Sequence, residues 1–197
     1  MSMATRRQPD PLEDTDWYED PRRHAAVVRA LHDQLTPPAG WRVEILDGEL
    51  VVSSVPTPAK ACTVEITRTA LAGTLPPTLG AYENVEFDEP AGDRLVPDIG
   101  VWPRKLMRYA GDRPHPRDCA LAVDVVPSSP RKCEPDRSAA YAQCGVPTYL
   151  VVERRRFTCV VFTEPGGDKY RTRREVRFGE PVTLPLETPV TIDTSEF

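Results

Sequence analysis

The chain has 197 residues, 40% of them hydrophobic and 28% charged, with a formal net charge of −5 at pH 7. That length and balance suit one globular domain with a core of its own and exclude a disordered chain. The negative charge argues against a nonspecific nucleic-acid coat, and no apolar run approaches the roughly 20 residues a membrane span needs.

Residues 1–20 are polar and acidic and read as a flexible tail ahead of a domain over 21–197. No apolar stretch follows Arg6 and Arg7, so no signal peptide is expected and the setting is read as cytoplasmic. Pro21 suits a first helical turn. Ala25, Val28, Leu31 and Leu35 then recur at helical spacing, predicting an amphipathic helix over 21–35 with His24 and His32 at its surface. Runs at 41–46 and 49–53 flank Asp47-Gly48, a strong hairpin signal. Thr57 or Pro58 opens a second helix to about Leu75, with Val64, Ile66, Leu71 and Leu75 as its apolar side. A strand over 81–87 and a turn over 88–93 follow.

Two short apolar runs come next, Leu95-Val96-Pro97-Asp98-Ile99-Gly100-Val101-Trp102 and Ala120-Leu121-Ala122-Val123-Asp124-Val125-Val126, separated by a polar loop over 103–118. Bounded by Gly and Pro, they read as buried strands, each carrying one acid. A buried carboxylate is costly unless it is paired or holds a metal, and two on neighbouring strands repel each other. A divalent cation between them would remove the repulsion. The alternative is that each acid ends its strand and faces water.

Pro127-Ser128-Ser129-Pro130 marks a turn, and residues 131–144 a helix ended by Gly145. A strand over 147–152 follows. A helix between the Asp124 strand and the Leu150 strand implies a parallel crossover. Short strands at 157–162, 170–178 and 182–184 complete the chain, with a hairpin turn at Gly166-Gly167. The fold class is therefore α/β, a mixed sheet flanked by helices with added antiparallel hairpins. Cys62, Cys119, Cys133, Cys144 and Cys159 form no CxxC pair and read mostly as small apolar packing residues. Arg171, Arg173 and Arg177 share a strand face, either to meet phosphates or to blunt an exposed edge.

Pro97-Asp98 followed by Asp124 on a later strand resembles the PD-(D/E)xK nuclease superfamily. Val43-Glu44-Ile45-Leu46-Asp47-Gly48-Glu49, Val96-Pro97-Asp98-Ile99, Ala122-Val123-Asp124-Val125 and the run from Tyr141 to Val152 together resemble one branch, the bacterial Uma-type putative restriction endonucleases. The resemblance covers roughly residues 21–190. It implies a restriction-endonuclease-like fold and metal-dependent hydrolysis of phosphodiesters in DNA. No membrane partner is expected, because no apolar run is long enough to span a bilayer. A homodimer would suit an enzyme that must cut two strands.

By position, the resemblance makes Asp98 and Asp124 metal ligands, with the Val125 carbonyl nearby and Glu44 completing the acidic cluster. Such oxygen ligands suit Mg²⁺ or Mn²⁺. Three clustered acids would repel one another, so Asp98→Asn is expected to leave the metal-free protein as stable or more so. The family commonly has Glu where Asp124 stands, and the superfamily lysine position is Val126. A lysine on the following helix substitutes in this branch, and Arg137 occupies that place. Arginine can orient a phosphate or stabilise charge but cannot act as a general base. Lys132 is an alternative that would reach the site from the turn, and Asp136 reads equally well as a surface partner. Three functions follow: an active endonuclease, a degenerate relative that binds nucleic acid or metal, and a protein-interaction module on the same fold.

Overall fold

Asp20 starts the first helix. Its backbone is extended and its carboxylate accepts the Arg22 N–H, which leaves Pro21 the first helical position of α1 (Pro21–Gln34). The computed structural model describes residues 20–39, 41–53, 56–88, 94–109, 113–126 and 137–197. The expected acidic tail lies outside them except for Asp20, as do the turn at 127–130 and the first residues of the helix expected over 131–144. α1 buries Val27 and Val28, but also His32, which the pattern had put at the surface. The His32 ring is held where the helix meets the first hairpin, with Nε2 3.3 Å from the Val43 carbonyl and 3.5 Å from Glu86. Leu35 is 48% exposed because the chain turns extended there.

β1 (Arg42–Leu46) and β2 (Glu49–Ser53) form the expected hairpin, and Asp47 and Gly48 adopt φ of 49° and 72°. Both central residues thus sit in the left-handed region that this tight turn demands. Thr57 caps α2 (Pro58–Thr74) by accepting the Lys60 N–H, so Lys60 falls in the first turn.

The strand expected over 81–87 divides into β3 (Leu79–Glu83) and β4 (Phe87–Asp88), with Asn84 between them at φ 53°. Asparagine is among the few residues that adopt this conformation at low cost. The first acid-bearing run also divides, into β5 (Arg94–Leu95) and β6 (Ile99–Pro103). Asp98 therefore stands at the threshold of β6, after a proline that cannot donate to a ladder.

Inside the expected loop lies α3 (Arg104–Tyr109), whose Leu106 and Met107 rest on the aromatic core. β7 (Leu121–Val126), α4 (Arg137–Gln143) and β8 (Thr148–Glu153) form the parallel crossover. β9 (Thr158–Pro165) and β10 (Tyr170–Arg177) make the next hairpin. β11 (Val182–Leu184) pairs with β12 (Val190–Ile192), a strand the sequence pattern did not suggest.

The central sheet runs β10-β9-β8-β7-β6-β3, antiparallel except for β7 beside β8. A second sheet runs β2-β1-β5-β4. Strand alternation gives the central sheet two unlike faces. Ile99, Val101, Leu121, Val123, Val125, Leu150 and Val152 pack toward α2, β11 and β12. Trp102, Ala122 and Tyr149 point the other way, with Phe87 and Tyr141 packed on them. Gly100 is required on this second face: a Cβ there would lie 1.9 Å from the Trp102 ring. Asp124, two residues beyond Ala122, shares the face.

Candidate active site

Glu44 lies mid-strand on β1 and is fully buried. Its Oε1 accepts the Val96 N–H at 2.8 Å and Arg137 Nη2 at 2.6 Å, and its Oε2 accepts Arg137 Nη1 at 2.9 Å. Arg137 thus grips the carboxylate with both prongs of its fork, the strongest form of such a pair. Arg42, two residues before Glu44 and so on the same strand face, places Nε 3.3 Å from Oε2.

Asp98 is fixed by the β7 backbone and by two cations. Its Oδ2 accepts the Val125 N–H at 2.8 Å and lies 2.8 Å from Lys60 Nζ, while Oδ1 lies 3.3 Å from Arg42 Nη1. The Asp98 N–H in turn donates to Asp124 Oδ1 at 3.2 Å. Asp124 Oδ2 accepts the Tyr149 hydroxyl at 3.0 Å and stands 3.0 Å from Arg137 Nε. That Nε–H is not aimed at an acceptor, so its attraction to Asp124 is Coulombic rather than a formed hydrogen bond.

The four residues expected at the site, Glu44, Asp98, Asp124 and Arg137, are therefore brought together, but as a circuit of alternating sign. Arg137 joins Glu44 to Asp124, Arg42 joins Glu44 to Asp98, and Lys60 adds a third cation. This pairing argues for the opposite outcome in Asp98→Asn. The carboxylates do not face one another unscreened, and neutralising Asp98 would deprive Lys60 and Arg42 of a counter-ion.

Burial alone would raise the Asp124 carboxyl, but Arg137, and after it Arg42 and Lys60, hold it below the usual carboxylate range. For Arg137, burial opposes the charge, yet Asp124, Tyr141 and Glu44 hold its proton more firmly than usual. Burial pushes the Tyr141 and Tyr149 hydroxyls well up, Asp124 adding to it at both, so both remain protonated. Tyr149 can then only donate to Asp124.

A cavity of about 240 Å³ opens over this circuit, lined by Arg42, Lys60, Asp124, Arg137, Tyr149 and Phe162 among others. Among the described residues, no three His, Cys, Asp or Glu side chains are grouped to cage a metal ion. Glu44 in particular has both oxygens taken by Arg137. Asp98 and Asp124 remain a pair of hard oxygen donors on adjoining segments. They fit a cation such as Mg²⁺, which keeps most of its waters and needs only one or two carboxylates.

Arg42, Lys60 and Tyr149 are site residues that sequence reasoning did not single out. Arg42 had a signal in its shared parity with Glu44, and Tyr149 lies inside a quoted motif. Lys60 had none beyond the helix start. Lys132 and Asp136 lie outside the described residues.

The site thus sits at the middle of a mixed sheet, where the one parallel crossover and the adjoining β5–β6 segment bring Asp98 and Asp124 together. A crystal structure titled as a putative nuclease belonging to DUF820 from Anabaena variabilis ATCC 29413 superposes with a TM-score of 0.61. The match covers 80% of this chain and 88% of that one at 12% identity, a likeness of fold alone. The Uma2 family model, described as putative restriction endonuclease, matches residues 29–195, and the chain belongs to that family. No curated protein sequence matched. No helix among the described residues is long and apolar enough to cross a membrane.

Proposed function

We propose that this protein is an endonuclease that hydrolyses phosphodiester bonds in DNA with Mg²⁺ or Mn²⁺ held by Asp98 and Asp124. The observation that carries the reading is the coupling of the two acids. The Asp98 N–H binds Asp124 Oδ1, and the Val125 N–H binds Asp98 Oδ2, so each backbone orients the other's carboxylate. When bound, the ion supplies Lewis-acid polarisation of the phosphate and an activated water. In the overall reaction water oxygen bonds to phosphorus, one P–O ester bond breaks, and the leaving oxygen gains a proton.

The protein's own share is positioning and charge. Tyr149 holds Asp124 in one rotamer. Arg137 ties β1 to β7 through Glu44 and Asp124, which keeps the second sheet docked on the site. Arg42, Lys60 and Arg137 line the cavity with three cations beside the single lining acid Asp124, in a chain that is negative overall, and cationic donors of this kind are what a phosphate substrate meets. Glu44 serves as an anchor for Arg137 and Arg42 rather than as a third ligand.

Supercoiled plasmid incubated with Mg²⁺ or Mn²⁺ tests this. Wild type is expected to nick or linearise it, and Asp124→Asn purified in parallel to leave it intact; equal cutting by the two would overturn the assignment. A degenerate relative is the second reading, because every carboxylate of the circuit is already neutralised by a cation. Metal bound without any cleavage would favour it.

A further inference from the structure

We propose that Lys60, in the first turn of α2, is the site's substrate-binding lysine: its ammonium group binds the phosphate that is to be cut, while Arg137 only positions other groups. This rests on the nuclease reading above and names the phosphate ligand within it.

The donors of the three cations decide between them. Arg137 spends Nη1 and Nη2 on both oxygens of Glu44, and Nη2 also reaches the Val96 carbonyl and the Tyr141 hydroxyl. Its guanidinium also lies against the Tyr141 ring, 5.7 Å from the centroid. A group fixed on Glu44, Val96 and Tyr141 cannot turn to a substrate without unpairing a fully buried carboxylate, and its unpaired Nε–H is buried beside Asp124. Arg42 is likewise split between Glu44 and Asp98. Lys60 Nζ has a single ionic partner among the described residues, Asp98 Oδ2. An ammonium group carries three donors on a rotor, so two remain for a ligand. Its side chain is 16% exposed and lines the cavity beside Asp124.

Helix electrostatics point the same way. A cation in a first turn works against the helix dipole, which favours acids there. Lys60 occupies that position without any acid in the turn to offset it. The folded chain recovers this cost through Asp98, and a bound phosphate would recover more. The geometry thus brings to the site, from a helix remote in sequence, the lysine that Val126 and Arg137 do not provide.

Lys60→Met keeps the aliphatic stem and removes the charge, and Arg42 still neutralises Asp98, so the variant should fold. Lys60→Gln is a second variant should Met fail to. Binding of a short labelled DNA duplex is measured by fluorescence anisotropy in EDTA, and single-turnover cleavage of the same duplex with Mn²⁺. Lys105→Met, at an exposed position of α3, is the charge-matched control. Lys60→Met is expected to weaken binding about 10-fold, the size of one charge-assisted hydrogen bond. The cleavage rate at saturating protein should fall about 100-fold, with Lys60→Arg restoring binding but only part of the rate. Equal binding by wild type and Lys60→Met overturns the proposal whether or not the protein cuts. An equal loss in Lys105→Met also overturns it, since binding would then follow overall charge. A loss confined to the Lys60 variants with no cleavage by wild type keeps Lys60 as phosphate ligand and overturns the endonuclease reading instead.

Discussion

The two faces of the central sheet are built from the same strands and obey opposite rules. Toward α2 and the β11–β12 hairpin the buried side chains are apolar apart from threonines such as Thr67 and Thr148, and Leu121, Val123, Leu150 and Val152 are fully buried. Toward β1 and α4 the buried set mixes Trp102, Tyr141 and Tyr149 with Glu44, Asp98 and Asp124. On β7 the change takes one residue: Val123 and Val125 belong to the first face and Asp124 to the second. The comparison teaches that a small sheet can separate cohesion from chemistry by parity alone. Among the described residues, the apolar face holds no group that ionises near neutral pH, burial pushing even the Cys159 thiol up to about 12. The polar face tolerates buried charge only because each carboxylate has a cation and an N–H or hydroxyl donor within reach.

Breaking the polar face should cost most. Arg137→Ala strands Glu44, which has no exposure, and weakens the hold on Asp124. Urea unfolding should show a loss of about 3–5 kcal/mol, as when one member of a buried pair is removed. Arg137→Lys should fall between the two proteins, because a single ammonium cannot reproduce the fork on Glu44. A Lys variant as stable as wild type would show that the fork contributes little. On the apolar face, Leu150→Ala should cost about 2–5 kcal/mol through lost burial and an internal cavity. Its Mn²⁺ affinity by titration calorimetry should stay that of wild type. A change in affinity would mean that the faces are mechanically coupled.

Smaller in stability but sharper for the comparison is Asp98→Asn. Loss of the carboxylate charge beside Lys60 and Arg42 should cost about 1–3 kcal/mol in the metal-free protein and abolish divalent-metal binding. A rise in melting temperature would mean that carboxylate repulsion, not ion pairing, dominates the circuit.

Residue patterns alone reached the hairpin at Asp47-Gly48, the two acid-bearing segments and the parallel β7–α4–β8 crossover. Each depends on local rules: a turn that needs positive φ, a short apolar run, a helical pattern between two strands. The family motifs also named Glu44, Asp98, Asp124 and Arg137 before their geometry was known. Missing from that reading were the burial of His32, the break of the 81–87 strand at Asn84, and the existence of β12. These depend on which surface another element covers, and helical or alternating spacing does not say so.

The signs and partners within the site were decided by tertiary structure alone. Spacing marks an acid as buried, but only packing shows whether a metal, another acid or a guanidinium faces it. Lys60 is the clearest case. It lies in the first turn of α2, far along the chain from Asp98, and nothing local distinguishes it from any other surface lysine. Docking α2 against the sheet sets its ammonium 2.8 Å from Asp98. Coulombic attraction acts through space, so the partners of these charges follow from how the elements pack and not from their order in the chain.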